Sequence, residues 1–258
     1  MHAVITGASS GIGEALAREF ARNGYSLTLV ARRQQHLEAL ASQLAVKTHV
    51  VVCDLSRRER CTDWLSEAEA ALGPVDVLIN NAGVQIIAAS DAIDPDRGDD
   101  LLDLNLSAPL RLTRAVLPAM RARGAGTIVD VASVAALVPT PGMGHYNASK
   151  AGLAGASEAL RGELLKTGVH VVTVYPGIID TDMGRAGLQA YDKSAAVDLQ
   201  PRGTSDVLAR HVYRAVAGKK ARVIYPQVYR LARWFPTVTR WVTDRVTPAL
   251  ASATVEPA

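Results

Sequence analysis

The sequence predicts a doubly wound α/β fold, a parallel sheet with helices on both faces in a single domain. Two observations carry that expectation. Short runs rich in Val, Ile, Leu and Thr alternate with longer segments whose apolar residues recur at helical spacing. Most of the short runs are almost continuously apolar, as strands buried on both faces of a parallel sheet must be. No solenoid-period repeat and no low-complexity linker divides the 258 residues, so one domain is preferred to two.

The elements follow in order. "HAVIT" reads as the first strand, and "GIGEALAREFARNG" as a helix whose Ile12, Leu16 and Phe20 share a face before Gly24 stops it. "SLTLVA" is a second strand, "QQHLEALASQLA" a helix and "THVVVCDL" a third strand. "CTDWLSEAEAAL" is helical, with Trp64 as packing, and "VDVLIN" is a fourth strand. "LLDLNLSAPLRLTRAVLPAMRA" is a long helix and "GTIVDVAS" a fifth strand. A helix begins near Tyr146, and "VHVVTVYPG" is a sixth strand.

Bulk composition narrows the function classes. A net charge of +3 is too mild to imply nucleic acid, and 48% hydrophobic with 21% charged residues suits a globular chain with a sizeable core. Cys53 and Cys61 lack metal-ligand spacing and read as reduced thiols, and His36, His49, His170 and His211 are scattered. No metal is expected. The opening "MHAVITGASSGIG" has neither the basic nor the apolar region of a signal peptide, and no apolar run reaches the roughly 18 residues of a membrane span. A cytoplasmic protein is expected.

Three local patterns point to chemistry. "TGASSGIG" (residues 6–13) joins the first strand to the first helix, with Gly7, Gly11 and Gly13 spaced G-x-x-x-G-x-G. Glycines permit a tight turn and close backbone approach, the helix N-terminus attracts a pyrophosphate, and Ser9 and Ser10 add hydroxyls. At the end of the second strand, where an acid commonly meets a ribose 2′-hydroxyl, stands Ala31, followed by Arg32 and Arg33. Two guanidinium groups suit a 2′-phosphate, so NADP(H) is expected in preference to NAD(H). In "GHYNASKAG", Tyr146 and Lys150 are four apart on one helix face. A neighbouring ammonium favours a phenolate, so the pair predicts a Tyr146 pKa below its ordinary value.

Taken together these motifs resemble the short-chain dehydrogenase/reductase family, well over residues 3–183 and more loosely to 226. "TGASSGIG" is similar to the family's cofactor loop, Asp54–Leu55 to its adenine-contacting pair, and "NNAG" (residues 80–83) to the segment ending its fourth strand. Asn105, Ser133, Tyr146 and Lys150 match its catalytic residues, and "PGIIDTDM" its nicotinamide-carboxamide loop. The resemblance implies a Rossmann-type domain over residues 1–226. It also implies cofactor contacts from Gly7, Ser9, Ser10, Gly11, Ile12, Gly13, Arg32, Arg33, Asp54, Leu55, Asn81, Ala82, Gly83, Tyr146, Lys150, Pro176, Gly177, Ile179 and Thr181. Tyr146 is then the acid in reduction and base in oxidation, and Ser133 orients the substrate oxygen. Lys150 binds the nicotinamide ribose, and Asn105 anchors a water. Asp180 and Asp182 fall within the carboxamide loop as solvated or capping groups.

The substrate side is read from Ser133, Val134, Met143, His145, Tyr146, Met183 and Leu188, with Leu137, Ile86, Tyr191 and Val197 adding apolar surface. A specificity loop is placed at about residues 184–200. A hydrophobic ketone or secondary alcohol is expected. The competing reading, a non-catalytic NADP-binding scaffold, fits poorly with intact Ser133, Tyr146 and Lys150. A homo-oligomer, dimer or tetramer, is expected. Residues 227–258 form a basic amphipathic extension: from Lys219 onward lie seven of the 28 basic residues but only two of the 25 acidic ones. Val228, Leu231, Phe235, Val238 and Val242 make a helical stripe flanked by Arg230, Arg233 and Arg240, with Pro236 as a break. The preferred expectation is that this stripe, with Trp234 and Trp241, packs on the substrate cleft of the protein or on a second subunit. Peripheral contact with a membrane surface is the alternative.

Overall fold

The computed structural model describes residues 1–191, 200–246 and 254–255. Seven strands form one parallel sheet: β1 (His2–Thr6), β2 (Ser26–Ala31), β3 (Thr48–Val52), β4 (Val77–Asn80), β5 (Gly126–Val131), β6 (Val169–Pro176) and β7 (Arg222–Tyr225). Their order is β3-β2-β1-β4-β5-β6-β7. The chain winds outward from β1 to β3 and then returns to place β4 on the other side. The order therefore reverses between β1 and β4, where a crevice opens at the strands' carboxyl ends.

Adjacent residues of β1 explain the unbroken apolar runs. Val4 and Ile5 point to opposite faces and both are fully buried. Ile5, in register with Leu29 and Ile79, packs with Leu16 and Phe20 of α1 (Gly11–Arg22), Leu37 of α2 (Gln34–Ser42) and Leu208 of α8 (Ser205–Ala217). Val4 packs with Leu65 of α3 (Leu65–Leu72) and Leu112, Val116 and Met120 of α5 (Ala108–Arg123). Burial of each such side chain contributes roughly 1.5–3 kcal/mol.

Several elements differ from the sequence expectation. The long helix starts earlier and has a seam. Asp94 caps α4 (Pro95–Leu102) by accepting from Arg97 N at 3.0 Å, and a π-helical turn (Asp103–Ser107) then joins it to α5. The helix expected at residue 61 begins at Leu65, because residues 61–64 form a turn in which Trp64 Nε1 donates to the Cys61 carbonyl at 2.9 Å. Strand β7 and helix α8 were not anticipated. Arg222 opens β7 exposed, next to Lys219 and Lys220, and this charge conceals a four-residue edge strand.

The C-terminal extension breaks as expected, into α9 (Arg230–Trp234) and α10 (Pro236–Val246). It is fastened near α6 (Gly144–Glu163). Glu158 of that helix pairs with Arg161 and Arg222, accepts from the Tyr175 hydroxyl at 3.1 Å, and pairs with Arg233 at 3.5 Å. The expectation that the aromatic residues pack on the protein is overturned. Trp234 is 72% exposed, Trp241 58% and Phe235 57%, whereas Ala232 is buried. Helices α9 and α10 turn small and polar residues inward and apolar ones outward.

Candidate active site

The crevice holds a cleft of about 1170 Å³ that runs from the glycine loop to the C-terminal helices. The loop after β1 is shaped by close backbone approach. A Cβ on Gly13 would lie 2.1 Å from the Gly7 carbonyl oxygen, and one on Gly7 2.8 Å from Ala82 Cα. Gly7 and Gly11 have φ of +67° and +58°, which non-glycine residues rarely adopt. A single hydroxyl ties this loop to the end of β4: Thr6 Oγ1 accepts from Asn81 N (2.9 Å) and Ala82 N (3.0 Å) and donates to the Ile79 carbonyl (3.2 Å). Asn81 Nδ2 donates to the Thr6 carbonyl at 2.9 Å. At the start of α1, Ser10 makes no capping bond, and the first-turn residues Gly11, Ile12 and Gly13 line the cleft. A cradle no side chain could enter, above a helix N-terminus, fits a dinucleotide pyrophosphate.

Arg33 folds over that loop. Its Nη2 donates to Ser9 Oγ at 2.9 Å and Ser10 Oγ at 2.6 Å. Ala31, Arg32, Asp54 and Leu55 line the same end, where Asp54 Oδ1 accepts from Ser56 N and Oγ. Across the cleft, Pro176, Gly177, Ile179 and Thr181 form the opposite wall. Thr181 caps α7 (Asp182–Gln189) by accepting from Gly184 N at 3.1 Å, and its methyl would lie 3.2 Å from a Cβ on Gly11. Asp180 and Asp182 are not simply solvated, since both pair with Arg185.

The middle of the cleft brings Ser133, Tyr146 and Lys150 together. Ser133 ends the loop after β5, its hydroxyl accepts from Ala135 N at 3.0 Å, and it lines the cleft together with Tyr146. Lys150 Nζ donates to the Val131 carbonyl at 2.9 Å and lies 5.9 Å from the Tyr146 ring centroid. Asn105, in the π-helical turn and fully buried, clamps Val84 from both sides. Its Oδ1 accepts from Val84 N at 2.9 Å and its Nδ2 donates to Val84 O at 2.8 Å. That clamp holds Gly83 so close that a Cβ there would stand 3.0 Å from Asn105 Oδ1 and 3.4 Å from Lys150 Nζ.

The electrostatics correct one expectation. Burial pushes the Tyr146 phenol above its ordinary pKa, and the Ser133 hydrogen bond offsets only part of that. Desolvation sets the direction of the shift, and the ammonium four residues on is not among its causes. Burial brings Lys150 down to about 8, with Asp130 pulling it back up. Asp130, missed in the sequence reading, is a buried carboxyl on β5. Burial raises its pKa, while Asn80 (Nδ2 at 2.8 Å), Ser157 and Lys150 favour its charged form. The site thus presents a protonated phenol beside a lysine poised near neutrality.

The substrate end is lined by Val134, Met143, Met183, Leu188 and Tyr191. Tyr191 donates to the Pro141 carbonyl at 2.8 Å, and burial pushes its phenol up to about 12. His145 does not join this lining. Its ring sits over Gly98 of α4, where a Cβ would meet Nε2 at 2.8 Å. Ile86 and Leu137 likewise turn into packing clusters behind the wall. Val197, in the expected specificity loop, lies outside the described residues. The extension was expected on the substrate cleft and reaches it, but through residues the sequence reading did not single out: Tyr229, Ala232, Thr239 and Thr243 line the cleft. Thr239 and Thr243 are four apart beside the apolar stripe, a signal of a second, polar face. Among the described residues, no group of His, Cys, Asp and Glu could hold a metal ion and no helix is long and apolar enough to cross a membrane.

A parallel sheet with this strand order and a glycine cradle at its switch point defines a dinucleotide-binding α/β protein. The short chain dehydrogenase family model matches residues 1–192, and the chain belongs to that family as an oxidoreductase of nicotinamide-cofactor type. An uncharacterized oxidoreductase of Staphylococcus epidermidis is 35% identical over 181 residues, 70% of this chain and 79% of that one. One from Staphylococcus aureus is 32% identical over 207 residues, 80% and 88% of the two chains. Among solved structures, a short-chain dehydrogenase from Streptomyces avermitilis superposes with a TM-score of 0.81 at 28% identity, over 94% of this chain and 95% of that chain. One from Sphingobium yanoikuyae, solved in complex with NADPH, gives 0.79 at 31% identity over 97% and 98%.

Proposed function

We propose that the protein transfers a hydride between NADP(H) and the carbonyl or secondary alcohol carbon of an apolar small molecule. The observation that carries this reading is the convergence of Tyr146, Ser133 and Lys150 on the one cleft that the glycine cradle also lines. The cofactor, when bound, supplies or accepts the hydride. Tyr146 gives its proton to the substrate oxygen in reduction and takes it back in oxidation. Ser133 holds that oxygen, Lys150 binds the nicotinamide ribose, and Asn105 keeps the segment at Gly83 and Val84 in place. Val134, Met143, Leu188 and Tyr191 favour an apolar substrate. A homo-oligomer belongs to the same reading. NADPH oxidation over a panel of aldehydes and ketones tests it, and no turnover of any of them would remove it.

Cofactor preference rests on Arg33 over Ser9 and Ser10, with Ala31 in place of an acid. NADPH is expected to bind at least about tenfold more tightly than NADH, about 1.4 kcal/mol, which is within reach of one charge-assisted phosphate contact. Arg33→Ala should erase most of that difference and barely alter NADH binding. Fluorescence titration of both cofactors measures it, and an undiminished preference in the variant would refute the role given to Arg33.

Asp130 sets the pH range. Burial alone depresses Lys150, and the Asp130 charge raises it to about 8. Asp130→Asn removes the raising charge, so Lys150 loses its proton at lower pH, and the alkaline limb of kcat/KM should move to lower pH. An unshifted limb in an active, folded variant would exclude the coupling.

A further inference from the structure

We propose that α9 and α10 form a docking surface for an anionic lipid bilayer, which brings the mouth of the substrate cleft against the membrane. The outer side of these helices is apolar: Leu231, Trp234, Phe235, Val238, Trp241 and Val242 are all exposed, between 41% and 72%. Leu231 and Trp234 are three apart on α9, and Val238, Trp241 and Val242 recur at three and four on α10, so each helix carries its part of an apolar ridge with Phe235 exposed between them. Soluble monomers seldom expose so much contiguous apolar surface without a partner for it.

Charge identifies the partner. Arg230, Arg240 and Arg245 are exposed on these two helices, against a single acid, Asp244. The Arg245 guanidinium stacks over the Trp241 ring at 4.2 Å and donates to the Trp241 carbonyl at 2.8 Å, placing a cation at the edge of the ridge. Arg233 is accounted for elsewhere, in its pair with Glu158. Apolar ridges carrying tryptophan and edged by arginine are the make-up of helices that lie in the headgroup region of a bilayer. A second copy of the chain is a poorer occupant. A twofold contact through this face brings like patches together, three arginines to one acid on each side.

The same helices explain why docking matters to the site. Thr239 and Thr243 line the cleft, and at about 100° per residue they stand next to Val238 and Val242 on α10. One side of α10 is cleft wall and the adjoining side is the ridge. The cleft is then placed to accept an apolar carbonyl or alcohol dissolved in the lipid, a consequence that rests on the function proposed above.

The test uses the full chain and no substrate. Vesicles of phosphatidylcholine with phosphatidylglycerol, and of phosphatidylcholine alone, are sedimented with the protein at low and high salt. The intact chain should bind the anionic vesicles, and salt should weaken the binding. Trp emission should shift to the blue, reporting Trp234 and Trp241, since Trp64 is already buried. A basic side chain near an anionic surface contributes roughly a fivefold factor, so Arg230→Glu/Arg240→Glu should reduce binding at least about tenfold. Trp234→Ser/Trp241→Ser should also reduce it. An unchanged melting temperature and NADPH affinity show that both variants are folded. Absence of binding to anionic vesicles overturns the proposal, as does equal binding by the Trp variant. So does a dimer of the intact chain that the Trp variant loses, which would assign the ridge to self-association. Vesicle binding together with failure on every carbonyl would leave the docking surface standing and remove the activity instead.

Discussion

Replacing Tyr146 with Phe is expected to lower kcat by at least about a hundredfold, the scale of general acid catalysis, and to leave NADPH affinity nearly unchanged. The ring is buried, and Phe preserves its packing. Only the hydroxyl is lost. Ser133 keeps its bond from Ala135 N, so its position survives. Burial keeps the phenol protonated in the free protein, the form that reduction needs. Steady-state rates on the best carbonyl of the panel, beside a cofactor titration, measure both quantities. If the variant retains more than about one percent of kcat, the proton comes from another group.

Gly13→Ala should damage cofactor binding while leaving the catalytic residues intact. Its Cβ would fall 2.1 Å from the Gly7 carbonyl oxygen and 2.7 Å from Asn81 Nδ2. Neither can withdraw freely: Gly7 N donates to the Val30 carbonyl at 2.8 Å, and Asn81 is bonded to Thr6. Overpacking of this kind costs about 1–3 kcal/mol, which corresponds to roughly a ten- to hundredfold loss of NADPH affinity where it falls on the binding-ready loop. Gly155→Ala is the control. Nothing lies within 4 Å of its Cβ, and Ala in a helix interior stabilises by roughly 0.5–1 kcal/mol. Titration and melting of the two variants side by side check the claim, and equal affinities would defeat it.

Whatever depended on local spacing could be read from the sequence. Leu16 and Phe20 were placed on one face of α1, and both are fully buried. Tyr146 and Lys150 were placed together by a helical turn, and they share the cleft. Other features depend on contacts remote in sequence. Tyr229, Thr239 and Thr243 reach the cleft from beyond the sixth strand, and no periodicity says which wall a helix will form. Some signals were available and unread. His145 stands one residue, about 100°, from Tyr146 on the same helix, so a cleft-facing Tyr146 turns His145 elsewhere, here onto Gly98. Asp130 is an acid in the middle of the apolar run "TIVDVAS" and marks a buried charge in need of partners. The exposed tryptophans reversed the expectation that large apolar residues go inward, because α10 spends its inward side on threonines.

The two ends of the cleft are fastened by unlike means. The glycine cradle is held by main-chain bonds and by the Thr6 hydroxyl at the centre of the sheet, so it stands ready before any ligand arrives. Little order has to be created there on binding, and affinity gains accordingly. The far wall is attached through side chains, with Glu158 as a common anchor for Arg161, Arg222 and Arg233. Mutational drift therefore meets different resistance at the two ends. A change near Thr6 disturbs two strands and a loop together, whereas a change on α9 or α10 reaches the chamber's wall and the exposed ridge and leaves the cradle alone. The cradle is thus the end least free to vary, and the wall built by α9 and α10 the end most open to change.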